Sequence, residues 1–121
     1  MPLFGVWTSR GFLIAFYASE VTSMTLDDIL QDIHVLEQDL QTYERKYGVL
    51  SETFYESYRQ GEEPEDDAWV LDWSAWAGTY EIWLRRRAQY QAAILKLQTQ
   101  TPILADIIGR TARRESISVP V

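Results

Sequence analysis

Residues 69–97 read WVLDWSAWAGTYEIWLRRRAQYQAAILKL, and the spacing of their large side chains decides the fold. Trp69, Trp73, Trp76, Tyr80, Trp83, Arg87, Tyr90, Ile94 and Leu97 follow one another at alternating steps of four and three. A helix lines such positions up on one narrow stripe, so the stretch predicts a single helix over about 68–99, roughly 40 Å of seam at 1.5 Å per residue. Its first five rungs form an aromatic ladder. Ala77 and Gly78 are small and would admit a second helix alongside. Arg87 interrupts the seam and is expected to reach an acid on a facing helix, such as Glu37 or Glu44, while Glu81 and Arg85 have the spacing of an intrahelical ion pair.

A second stripe lies upstream. Leu26, Ile29, Ile33, Leu36, Leu40, Tyr43 and Tyr47 step by three and four, with polar Asp27, Asp32, Glu37, Gln38, Asp39, Gln41 and Glu44 between them. The spacing predicts a helix over 25–47, opened by Thr25 with Asp28 three residues on and closed by Gly48. Ser51 is expected to cap a shorter helix at about 52–60, ended by Gly61. Glu62-Glu63-Pro64-Glu65-Asp66-Asp67 reads as a solvated loop, and Asp66 or Asp67 as the cap of the following helix. Thr101-Pro102 has the form of a cap followed by proline in the first turn, opening a helix at about 102–108 before Gly109. The tail 110–121 is expected to be loose unless Ile117-Ser118-Val119 is captured as a strand.

Two long seams joined by residues 48–67 have to bury each other. The expected fold is all-α: an antiparallel hairpin of two long helices with two short accessory helices, a helical domain at 24–109 and a flexible tail at 110–121. Residues 1–23 are expected as an extension, either an apolar docking arm or a misassigned start preceding Met24. Their apolar run Gly11–Ala18 is too short for a bilayer span, which takes about 20 residues, and its aromatics fit a secretory signal poorly.

Composition removes many functions. The 121 residues carry 11 Lys and Arg against 18 Asp and Glu, for a formal charge of −7. That sign argues against direct nucleic-acid binding. The chain has no cysteine and one histidine, which leaves no disulfide, thiolate nucleophile or histidine-rich metal centre. His34 reads as a helix-face residue. No phosphate-binding loop, nucleophile elbow, EF-hand or zinc spacing occurs, so neither an enzyme nor a cofactor is expected. Charge is also uneven: residues 24–76 hold 14 acids and 3 bases, whereas residues 77–121 hold 3 acids and 7 bases. An acidic first half presents a field to a basic partner unless the halves pair internally. Most of the large aromatics are expected to fill the core of so small a domain, and the ladder can also serve as an interface.

Tyr43-Glu44-Arg45-Lys46-Tyr47-Gly48, then Ser51-Glu52-Thr53-Phe54-Tyr55, Gly61-Glu62, Asp66-Asp67, Asp72-Trp73, Trp76-Ala77 and Tyr80-Glu81 together resemble a widespread family of small bacterial and cyanobacterial helical proteins. The resemblance spans about residues 26–97. Trp73 stands where the family pattern has phenylalanine, and Ala75 where it often has glutamate. Many such proteins look like antitoxins encoded beside a small ribonuclease-type toxin. The resemblance implies a non-catalytic, cytoplasmic protein that neutralises a cognate basic toxin, with Glu62, Glu63, Glu65, Asp66 and Asp67 steering and Trp69, Trp73, Trp76 and Tyr80 supplying contact area. A homo-oligomeric helical scaffold or adaptor, for instance a homodimer, is the alternative.

Overall fold

The computed structural model describes residues 23–101 and 103–120. Among them are four α-helices, one short 3₁₀ turn and one two-stranded sheet: β1 (Ser23–Thr25), α1 (Leu26–Tyr47), α2 (Ser51–Arg59), the 3₁₀ turn Asp67–Trp69, α3 (Val70–Gln100), α4 (Leu104–Ala112) and β2 (Ser118–Pro120). The protein is predominantly helical, as its periodicity predicts. Residues 1–22 and Pro102, on which the docking-arm and proline-start readings fall, lie outside the described residues.

Local chemistry explains the boundaries. The Asp28 amide donates to Thr25 Oγ1 and the Thr25 amide to Asp28 Oδ2, both at 3.1 Å, a reciprocal cap that starts α1. At its far end Gly48 takes φ +82° and its N–H donates to the Glu44 carbonyl at 2.8 Å. α2 runs out into Gly61 at φ +96°. Asp66 caps the 3₁₀ turn by accepting from the Ala68 amide at 2.9 Å, so α3 proper begins later than expected. α4 is displaced from its expected span. It starts at Leu104 behind Ile103, which offers no side-chain cap, and runs through Gly109 to Ala112. Its end is made by Arg114 at φ +63°, with the Glu115 amide donating to the Arg110 carbonyl. Gly109 is therefore a helical residue and not a terminator.

The chain divides into two compact units. In the first, the described residues are 23–29, 89–101 and 103–120. β1 and β2 pair antiparallel with Met24 opposite Val119, and the Leu26 amide donates to the Ile117 carbonyl at 2.7 Å. Leu26, Ile29, Ala93, Leu97, Ile107, Ile117 and Val119 are buried there. The C-terminal segment is thus captured as a strand, and the expected domain start at residue 24 falls inside its partner. Arg110 and Arg113 both pair with Glu115, at 3.7 and 2.7 Å.

The second unit, residues 30–88, holds an aromatic core. Leu40, Phe54, Trp76 and Ala77 are buried, with Tyr43, Tyr47, Tyr55, Tyr58, Trp73, Tyr80 and Trp83 packed around them. Side-chain pairs join α1 to α3 within this unit: Asp32 with Arg86, Glu37 with Trp83, Tyr43 with Trp76, and Lys46 with Asp72. The small-residue reading holds for Ala77, which is buried, and fails for Gly78, where a Cβ would meet nothing within 4 Å. Gly78→Ala is therefore expected to raise stability by about 0.5–1 kcal/mol, since it restricts the unfolded chain and favours helix without a clash. Denaturant unfolding of the variant checks it.

Candidate functional site: an aromatic layer with an acidic rim

Trp76 sits at the centre of the second unit with 0% of its surface exposed. Phe54 of α2 stacks on it at 3.8 Å between ring centroids and 1° between planes. Tyr43 and Tyr47 of α1 also lie near-parallel to it, at 5.7 and 5.6 Å. A buried indole needs an acceptor, and Trp76 Nε1 donates to Ser51 Oγ at 2.8 Å. The Ser51 hydroxyl donates onward to Glu44 Oε2 at 2.7 Å, and the Ser51 amide donates to the same oxygen at 2.9 Å. Ser51 is therefore not the cap of α2. The Glu44 carboxylate fills that role from the preceding helix, and the serine is buried as a relay between indole and carboxylate.

Other expected pairings are also redistributed. Arg87 reaches neither Glu37 nor Glu44; its guanidinium lies over the Trp83 ring, 5.1 Å from the centroid. Glu37 instead accepts from Trp83 Nε1 at 3.1 Å. The arginine that pairs with an acid of α1 is Arg86, with Asp32 at 3.0 Å. Glu81 accepts the Tyr55 hydroxyl at 2.7 Å in place of the expected Arg85. Three consecutive arginines leave the helix in different directions, so heptad arithmetic alone does not decide which one faces α1.

Two clefts border the aromatic layer. One, of about 470 Å³, is lined by Glu37, Glu44, Ser51, Glu52, Tyr80 and Trp83, among others. The other, of about 480 Å³, has Lys46, Tyr47, Phe54, Glu62, Trp69 and Trp73 in its walls and reaches Trp76. Trp69 is 37% exposed and meets the Tyr47 ring edge-on at 5.9 Å. Trp73 meets Phe54 edge-on at 5.2 Å. Its Nε1 is buried and finds no acceptor among the described residues.

Of the residues singled out in the sequence, Glu62, Trp69, Trp73 and Trp76 converge on this second cleft, and Tyr80 lines the first. Glu62, Glu63, Glu65, Asp66 and Asp67 are all exposed. Trp76 has no surface to offer a partner and is core; Trp73 and Tyr80 are half-buried. Lys46, Tyr47 and Ser51 were not among the expected site residues. A serine one position past a helix cap and a lysine–tyrosine pair at a helix end carry no chemical pattern of their own, and only packing brings them in.

Asp72 Oδ2 accepts from both Lys46 Nζ and the Tyr47 hydroxyl, each at 2.6 Å. These bonds, that from Lys46 foremost, hold the Asp72 carboxyl below its ordinary range. Tyr47 is raised, by burial first and then by its bond to Asp72. Tyr80 is raised by burial and by Glu52, and Tyr55 by its bond to Glu81. Among the described residues no three His, Cys, Asp or Glu are grouped to hold a metal ion, and no helix is long and apolar enough to cross a membrane. No protein-family model, curated protein or solved structure matches the chain.

Two predictions follow from the layer. Trp76→Ala is expected to lower stability by about 3–5 kcal/mol, and Ser51→Ala by about 1–3 kcal/mol because the buried indole N–H loses its acceptor. Urea unfolding monitored by tryptophan fluorescence measures both. The shifted groups also set a pH profile. The lowered Asp72 contributes stability above about pH 4 that disappears on acidification, whereas the raised tyrosines contribute below about pH 10 and lose it as pH rises further. Melting temperature against pH should fall on both limbs, and Asp72→Asn should flatten the acid limb.

Proposed function

We propose that the protein is a non-catalytic, antitoxin-like binding protein that acts in the cytoplasm by covering and neutralising a small basic ribonuclease-type toxin. One observation carries the reading. Five carboxylates in six residues, Glu62 to Asp67, stand exposed on a loop that leads directly into the exposed Trp69 at the mouth of an aromatic cleft. An enzyme that grips RNA needs a basic surface, and an acidic loop beside an aromatic anchor complements it by field and by contact area.

We read α1 and α3 as an antiparallel hairpin that presents this loop. The support is the order of their side-chain pairs: 32 with 86, 37 with 83, 43 with 76 and 46 with 72 step in opposite directions along the two helices. A second reading, a homo-oligomeric scaffold, is favoured by exposed apolar side chains, among them Leu71 at 82% exposure and Ile103, Leu104 and Ile108 on and beside α4. Light scattering of the isolated chain separates a self-assembling scaffold from a monomer awaiting its partner.

The test is co-expression with the basic product of an adjacent gene, followed by an RNA-cleavage assay of the purified pair. Inhibition at equimolar ratio is expected, and a partner whose ribonuclease activity is untouched overturns the reading. Converting Glu63, Glu65, Asp66 and Asp67 to their amides is expected to slow association about tenfold or more at low salt and to flatten its salt dependence, with little change in melting temperature. Stopped-flow association kinetics against ionic strength measures it.

A further inference from the structure

We infer that the cleft walled by Trp69, Trp73 and Glu62 receives an extended basic segment of a partner polypeptide: a main-chain carbonyl of the segment takes the Trp73 N–H, and an arginine or lysine side chain lies against Trp69 beside Glu62. The inference rests on the binding reading above and names the recognition chemistry of that site.

Three tryptophans line the layer, and their N–H groups meet different fates. Trp76 donates to Ser51 and Trp83 to Glu37. Trp73 Nε1 is buried and has no acceptor among the described residues. A buried donor left unmet weakens the fold, and a phenyl ring at this place would pack on Phe54 without that cost. Trp73 as a residue is only half-buried and forms part of the cleft wall. Binding requires that the ring turn, so that this buried N–H meets the incoming acceptor.

Charge selects what brings that acceptor. Lys46 in the same wall is neutralised by Asp72 at 2.6 Å. Glu62 has no cation paired with it among the described residues and is continued by the carboxylates of the loop. The cleft thus carries the Glu62 carboxylate at one side and Tyr47, Phe54, Trp69 and Trp73 among its other wall residues, which suits a cation held against an indole. A phosphate-bearing ligand is repelled by this rim. A bare amine satisfies Glu62 and leaves Trp73 unmet. A polypeptide with basic side chains supplies both the cation and the carbonyl, and about 480 Å³ accommodates one long side chain with its adjoining backbone.

The experiment titrates the full chain with a short end-capped peptide of alternating arginine and serine, followed by tryptophan fluorescence and calorimetry. The same peptide with citrulline replacing arginine, and free agmatine, are the comparison probes. The arginine peptide is expected to bind and the citrulline peptide to lose binding. Trp73→Phe is expected to keep or raise the melting temperature while weakening the peptide about tenfold, a separation that a purely structural role does not produce. Glu62→Gln is expected to weaken it by a similar factor and to reduce its salt dependence, and Asp39→Asn, exposed and outside the cleft, to leave it unchanged. Unaltered affinity in Trp73→Phe and Glu62→Gln, or agmatine binding as tightly as the peptide, overturns the inference. A toxin that is inhibited equally by wild type and Trp73→Phe removes the cleft and leaves the antitoxin-like reading standing. Peptide capture without inhibition of any toxin does the reverse.

Discussion

The second unit is organised by what one buried indole requires. Trp76 contributes a large apolar surface that only flat neighbours cover well, and Phe54, Tyr43 and Tyr47 present rings near-parallel to it. It also brings one N–H into a place with no water. Ser51 answers that demand because a hydroxyl accepts and donates at once. The serine hydroxyl donates its own hydrogen bond to Glu44, whose half-exposed position lets the negative charge keep contact with solvent. Three helices are thereby tied through one hydrogen-bonded chain, and the short α2 is held by the stack and the relay rather than by a cap of its own.

This arrangement explains what was legible beforehand. α1 and α3 were readable because a heptad stripe is a property of spacing, and each stripe position from Leu26 to Tyr47 is buried or half-buried. The reciprocal cap at Thr25 and the left-handed Gly48 were readable because their chemistry is local. Ser51 was misread for the same reason: local chemistry makes serine a cap, and only the long-range contact with Trp76 makes it a relay. Arg87 was misread because the stripe names a direction and not a partner. A guanidinium beside an indole gains enough from the ring face to stay there, and Arg86 one position earlier takes the acid. The end of α4 escaped because a non-glycine residue in the left-handed region, Arg114, does the work usually signalled by glycine.

Of the site, the aromatic ladder was legible as a group and its division was not. Seven-residue recurrence places Trp69, Trp73, Trp76 and Tyr80 on one face, yet burial splits them into core and rim. The split follows the neighbouring rings, since Phe54, Tyr43 and Tyr47 all stack on Trp76 whereas Phe54 meets Trp73 edge-on. Trp69 lies in the 3₁₀ turn before α3 and escapes this cover, which leaves it at the surface next to the loop.

The acidic surplus of the first half is likewise sorted by structure. Asp32, Glu37, Glu44 and Asp72 sit on helices and accept hydrogen bonds from Arg86, Trp83, Ser51 and Lys46 in turn. Their charge is consumed in holding the unit together. In the loop, Asp66 caps the 3₁₀ turn after it, and Glu62, Glu63 and Glu65, with Asp67 at the start of that turn, are exposed with no ion pair among the described residues. Part of the acidic surplus is thus concentrated on a few adjacent residues next to an exposed indole, while Asp39, Glu52 and Glu56 stand exposed on the helices. Solubility alone asks for no such concentration, because scattered carboxylates serve it equally well. Placement beside an aromatic cleft is the feature that supports the proposed contact with a basic partner.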